Sequence, residues 1–209
     1  MESHKKELEL CFLWHKYAAV FAFQTTIVTT VDSNNIVNAA PFSLVYPFCV
    51  GDPDKAQMLF AASSIWHTTQ NIVATKEFVI NYAPYGLIKQ VCETGRFYPE
   101  NVTELEKTDL TAIPALKVGP PRIKECYQHI ECRLNHIIKP IDSQYNFVGD
   151  VVSVSIDEKL LTLEKEAALK TADPLLYHGG VQGSETEYFA GIGKTGSHTV
   201  SREIKEEKD

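Results

Sequence analysis

The chain reads as mainly β, an antiparallel architecture with a few peripheral helices, and three stretches carry that reading. Residues 25–43 are dominated by β-branched side chains on both sides of Asp32-Ser33-Asn34-Asn35, whose short polar side chains suit a tight turn between antiparallel strands. Ile123–Ile138 and Gln144–Ile156 are two long β-type segments separated by Lys139-Pro140-Ile141-Asp142-Ser143, which has turn chemistry. Gln57–Ala62 and Phe78–Tyr82 are short apolar strands, and Thr68–Lys76 between them has the length of a helix and a hydroxyl-rich start.

The other elements follow in order. Leu8, Cys11, Phe12 and His15 recur at helical intervals and predict a short helix within residues 4–17. Pro84–Arg96 is read as helix, and Asn101–Leu116 as an irregular excursion with a short acidic turn of helix, long enough to be functional or interfacial. Asp157–Thr171 favours helix, and Tyr177–Gly183 is read as a glycine-bearing loop. One domain is expected over residues 1–201, with Arg202–Asp209 as a charged, disordered tail.

Composition removes several function classes. With 44% hydrophobic and 22% charged residues, the chain has a globular composition, and no window approaches the roughly 18 unbroken apolar residues of a membrane span. Met1–Glu7 lacks the apolar core and cleavage site of a secretory signal, so a cytoplasmic location is expected. A net charge of −7 with scattered Lys and Arg argues against a nucleic-acid partner. Five cysteines without a C-x-x-C pair read as reduced thiols.

Two apparent motifs dissolve on inspection. Cys126, His129, Cys132 and His136 suggest a metal cluster, but a straight strand separates its ends by about 33 Å, at roughly 3.3 Å per residue. No metal site is assigned. Gly191-Ile192-Gly193-Lys194-Thr195-Gly196 fits G-x-G-x-x-G, yet too little chain follows it for a dinucleotide-binding unit, so it is read as a flexible loop.

The chemistry concentrates between Thr29 and Asn81. Ser63, Ser64, Thr68 and Thr69 gather hydroxyls at a helix start, where they either help free N–H groups hold a phosphate or simply cap the helix. Asn71 falls one turn later, on the face of Thr68. In Asn38-Ala39-Ala40-Pro41-Phe42-Ser43 the alanines leave room for a flat ring and Pro41 breaks the ladder, with backbone amides facing the ring edge; an edge strand with a bulge is the alternative.

The order of these pieces, Thr29-Thr30-Val31-Asp32, Asn38 to Ser43, Thr68-Thr69-Gln70-Asn71-Ile72 and Glu77-Phe78-Val79-Ile80-Asn81, resembles the flavin reductase-like family of FMN-binding split barrels. The resemblance continues through Glu104–Thr111, Pro120–Cys126, Ile130–Leu134 and Phe147–Val152 to Pro174–Gly180, and is nearest to the flavoredoxin-like branch. It departs at Trp66 and His67, where many members carry lysine and aspartate, and at Gly51–Lys55, where members have a short proline turn.

What the resemblance implies is an antiparallel split β-barrel that binds FMN near a homodimer interface and takes hydride from NADH or NADPH. The electrons would pass to a small-molecule or protein acceptor, such as free flavin or a ferric complex. Thr30, Asn38, Ala39, Ala40, Pro41, Phe42, Ser43, Ser63, Ser64, His67, Thr68, Thr69 and Asn71 are the expected cofactor contacts, with His178 as a candidate for the nicotinamide pocket. No catalytic dyad is expected, because the cofactor carries the chemistry. An FMN electron carrier without a nicotinamide site and a cofactor-free binding or dimerisation barrel remain as alternatives.

Overall fold

The computed structural model describes residues 7, 10, 13–17, 21–98, 102–181 and 184–193. The expected tail and half of the segment 4–17, where the N-terminal helix is expected, lie outside them. In chain order the elements are α1 (Trp14–Tyr17), β1 (Phe23–Gln24), β2 (Thr26–Val31), β3 (Val37–Phe42), β4 (Val45–Cys49) and β5 (Gln57–Ser63). Then come α2 (His67–Thr75), β6 (Glu77–Tyr82), α3 (Ile88–Thr94), β7 (Ala112–Ile113), β8 (Arg122–Ile123), β9 (Gln128–Ile141) and β10 (Gln144–Ile156). The chain continues with α4 (Glu158–Leu161), α5 (Lys165–Ala172), β11 (Leu176–Gly180) and β12 (Glu187–Ala190). Short 3₁₀ turns cover Pro53–Lys55, Tyr85–Leu87 and Glu104–Lys107.

Seven strands form one antiparallel sheet in the order β3-β2-β6-β9-β10-β5-β4. The sheet curls until its ends approach: Phe42 on β3 meets Phe60 on β5 edge-on, with ring centroids 5.1 Å apart. The inner face holds Val28, Phe60, Phe78, Ile80, Ile130, Cys132 and Phe147, and Ile72 of α2 closes into the same core. A second apolar layer lies behind β2 and β3, where Ile27 and Ala39 pack with Ala83, Val91, Leu110, Ile123 and Leu175. With both faces covered, β2 is buried along its whole length, which explains its unbroken run of β-branched residues.

Buried polar side chains fix the excursion before β9. Asn81 donates to the Ile27 carbonyl (2.9 Å) and accepts from the Ile123 amide (2.9 Å). The buried Glu131 carboxylate accepts from the amides of Leu116 (2.8 Å) and Lys117 (2.7 Å). A loop stripped of a ladder must find such partners.

The hairpin at β2–β3, the β5–α2–β6 unit and the long β9–β10 pair match the sequence reading. Other segments differ. Residues 124–127 are turns, so the expected long strand from Ile123 splits into β8 and β9. The expected helix at Pro84–Arg96 begins with a bridge from Pro84 to Pro174 and a 3₁₀ turn, because the Tyr85 amide bonds to the Asp173 carbonyl (2.7 Å). The expected loop at Tyr177–Gly183 is instead β11 over Leu176–Gly180, paired with β1 and β12. There Gly179, at φ +89°, lets the Lys16 carbonyl of α1 approach where any Cβ would collide.

Gly149 lies at an irregularity between β10 and β9, and a Cβ added there would stand 2.5 Å from Phe78 Cζ and 3.0 Å from Cys132 Cβ. Gly149→Ala is therefore expected to lower stability by about 1–3 kcal/mol through overpacking, measured by urea unfolding.

Candidate functional site

Because β3 ends the sheet order, only one of its edges pairs with a strand among the described residues. N–H groups alternate sides along a strand, and the Ala39 amide turns away from β2 to donate to Glu104 Oε2 (2.8 Å). The outward positions are therefore Val37, Ala39 and Pro41, of which Pro41 has no N–H. The amide expected to face a ring edge at Ala39 is already committed, and this side of the strand offers carbonyls instead. Of the alternative, an edge strand with a bulge, the edge position holds and the bulge does not, since the β2–β3 register runs without a shift.

A cavity of about 330 Å³ opens beside this edge, within the usual size of ligand sites. Asn38, Ala40, Pro41 and Phe42 form one wall, Ile65 to Thr68 another, and Thr94 to Tyr98 with Glu104 the third. The apolar lining comes from Phe42 and Trp66, whose ring centroids are 5.7 Å apart, with Pro41 and Phe97. Phe97 is 90% exposed. Gly95 lies close to Pro41, with room for no side chain larger than hydrogen unless the proline ring shifts. A smaller, polar cavity of about 150 Å³ shares Asn38 and His67 with the first and adds Asp32, Gln70 and Asn71.

The helix α2 directs its N-terminus at the main cavity through Trp66, His67 and Thr68. Its cap residue is Trp66, with no side-chain cap bond, so the hydroxyls of Ser63 to Thr69 do not serve as the helix cap. Thr69 donates to the Ser63 carbonyl (2.7 Å), and the Ser64 amide donates to Ser143 of the β9–β10 turn (3.0 Å). Thr30, Ala39, Ser43, Ser63, Ser64 and Thr69 line neither cavity.

Several of these residues support the walls instead. Thr30 is fully buried and its hydroxyl accepts from Asn71 Nδ2 (3.1 Å) and Asn38 Nδ2 (3.4 Å). Asn38 also donates to Thr68 Oγ1 (3.0 Å), linking β2, β3 and α2 behind the cavity. His178 lines neither cavity, because it sits on β11 in a separate three-stranded sheet.

Sequence reasoning missed Glu104, Arg96, Phe97 and Tyr98. Glu104 is 5% exposed, and burial pushes its carboxyl above the usual range, opposed by the Ala39 amide and the charge of His67. Arg96 pairs with Glu93 (3.0 Å), and Tyr98 donates to the same glutamate, which raises the Tyr98 phenol. The acidic turn within residues 101–116 was the available signal for Glu104; the 94–98 segment has no periodicity to announce it.

A family model of the flavin reductase like domain matches residues 18–185. The chain belongs to the flavin reductase-like family. An uncharacterised protein of Methanothermobacter thermautotrophicus is 29% identical over 165 residues, covering 77% of this chain and 76% of that one. Flavoredoxin of Desulfovibrio vulgaris (Miyazaki F) superposes with a TM-score of 0.75 at 20% identity, over 95% of this chain and 98% of that one. The split barrel domain of a Shewanella frigidimarina protein superposes with a TM-score of 0.74 at 18% identity, over 90% and 89%. This flavin reductase-like chain is accordingly a mainly β, antiparallel split barrel. Among its described residues no helix is long and apolar enough to cross a membrane.

Thr30→Val keeps the shape of the side chain but removes the acceptor of Asn71 Nδ2, while Asn38 keeps its bond to Thr68. It is expected to cost about 1–3 kcal/mol, read as a lower midpoint in chemical denaturation.

Proposed function

We propose that the protein is an FMN-dependent oxidoreductase that takes hydride from NADH or NADPH and passes electrons to free flavin, a ferric complex or a protein partner. The observation that carries this reading is an apolar cavity, walled by β3 and open to the N-terminus of α2, within a flavin reductase-like domain. Bound there, FMN supplies the electron-transfer chemistry.

The donor set fits such a group. Ala40, Pro41, Phe42 and Trp66 offer flat apolar surface to the ring, and Asn38 offers polar contact where the two cavities meet. The first turn of α2 presents backbone N–H groups without intrahelical acceptors, and its dipole favours an anion. His67 and Thr68 stand at that end. Arg96 on the facing wall supplies the cation that is absent at the position of Trp66, and a charge-assisted bond of this kind contributes about 1.5–3 kcal/mol. Phe97, exposed at the rim, is placed to exclude water from a ring below it.

Arg96→Ala with His67→Ala is expected to weaken FMN binding on the order of tenfold to a hundredfold by flavin-fluorescence titration. Unchanged affinity would remove both from the phosphate end. Anaerobic stopped-flow mixing of the FMN-loaded protein with NADH and with NADPH tests the activity. Bleaching of the flavin band by either supports hydride transfer, and no bleaching until a partner reductase is added would make the protein a carrier.

The proposal extends to a homodimer. Edge strand β4 exposes Tyr46 and Phe48, followed by Val50, and Phe48 lies against His136 of β9 (centroids 6.4 Å) beside exposed Ile138. An apolar edge of this kind calls for a partner surface. Phe48→Lys is expected to shift the sedimentation coefficient from dimer toward monomer.

A further inference from the structure

The cavity wall contains a buried acid that its structural task does not require. The Ala39 amide needs only an acceptor, and a neutral glutamine would supply one at the same distance. Glutamate instead places an ionisable group, 5% exposed, in the wall of the cavity, where burial makes a charge costly. Groups held at such a cost concentrate at functional sites.

Resting on the flavin reading above, we propose that Glu104 sets the reduction potential of the flavin held in the main cavity, through the charge its carboxyl places in the wall. Reduction of the ring by two electrons and one proton adds one negative charge to the cavity. An ionised Glu104 opposes that charge and a protonated one does not, and the burial of Glu104 strengthens the effect. The anchor to Ala39 fixes where the charge stands, next to Ala40 and Pro41 of the same strand. Among the described residues, the titratable and charged groups that face Glu104 are His67 from α2 and Tyr98 from the segment that follows α3, with Arg96 and Glu93 beyond it.

Stability follows the same acid with a defined sign. Burial raises the folded-state value of Glu104, so its favourable contribution is present below the ordinary carboxyl value and is lost as pH rises through the raised one. Glu104→Gln never ionises and keeps the acceptor for Ala39. It is expected to melt no lower than the wild type at pH 8.5, whereas Glu104→Ala, which orphans the amide, melts lower.

The deciding experiment is a spectroelectrochemical titration of the full-length protein with FMN bound, as wild type and Glu104→Gln, at pH 6 and pH 8.5. At pH 8.5 the variant is expected to favour reduced over oxidised flavin on the order of tenfold more than the wild type, about 30 mV for a two-electron couple. The difference shrinks at pH 6. Superimposed midpoints at both pH values would overturn the proposal while leaving the flavin reading intact. Absence of bound flavin in both proteins would instead remove the flavin reading, and this proposal with it. Should the variant not fold, the wild type alone decides: its midpoint falls more steeply with pH than that of free FMN, and an equal slope overturns the proposal.

Discussion

An edge strand that accepts no further strand organises this molecule. β3 is the last member of the sheet, and its outward side has no amide at Pro41 and an amide at Ala39 that Glu104 occupies. A new strand would have little to bond to there, so the curled sheet stays open on that side. The gap is filled by the N-terminus of α2, the 94–98 segment and the 3₁₀ turn at Glu104–Lys107, and the main cavity lies between them. The two apolar layers keep β3 in place: Phe42 turns into the barrel and Ala39 packs behind it.

The cavity's rigidity comes from groups that do not touch its interior. Thr30 receives both Asn38 and Asn71, and Asn38 passes the connection to Thr68, so one hydroxyl ties two strands and a helix together. Such a buried network confers precision because each member loses its partner if any element shifts. The far wall is different in kind. Phe97 and Arg96 are exposed, and Arg96 pairs with Glu93 of its own segment.

Much of this was legible in the sequence because it was local. The Asp32–Asn35 turn, the β-branched runs around it and the long β9–β10 pair obey short-range rules, and the buried β2 declares itself by composition. β4 was hidden by Pro47, which demotes a strand unless it lies at an edge, as this one does. β11 was hidden by Gly179-Gly180, whose glycines answer to the approach of α1 rather than to a loop. Of the expected contacts, Asn38, Ala40, Pro41, Phe42, His67 and Thr68 come together around one cavity. Ser63, Ser64 and Thr69 lie outside both cavities: the Thr69 hydroxyl donates to the Ser63 carbonyl, and the Ser64 backbone amide ties the β9–β10 turn. Glu104 and Arg96 could not be placed, since their contact with β3 depends on how a segment without periodicity folds back.

A crystal structure of the protein soaked with FMN would test the proposed arrangement most directly. The ring is expected against Ala40, Pro41 and Phe42, with the phosphate at the first turn of α2 and Arg96 drawn toward it. A ring seated elsewhere, or a phosphate remote from that turn, would contradict it.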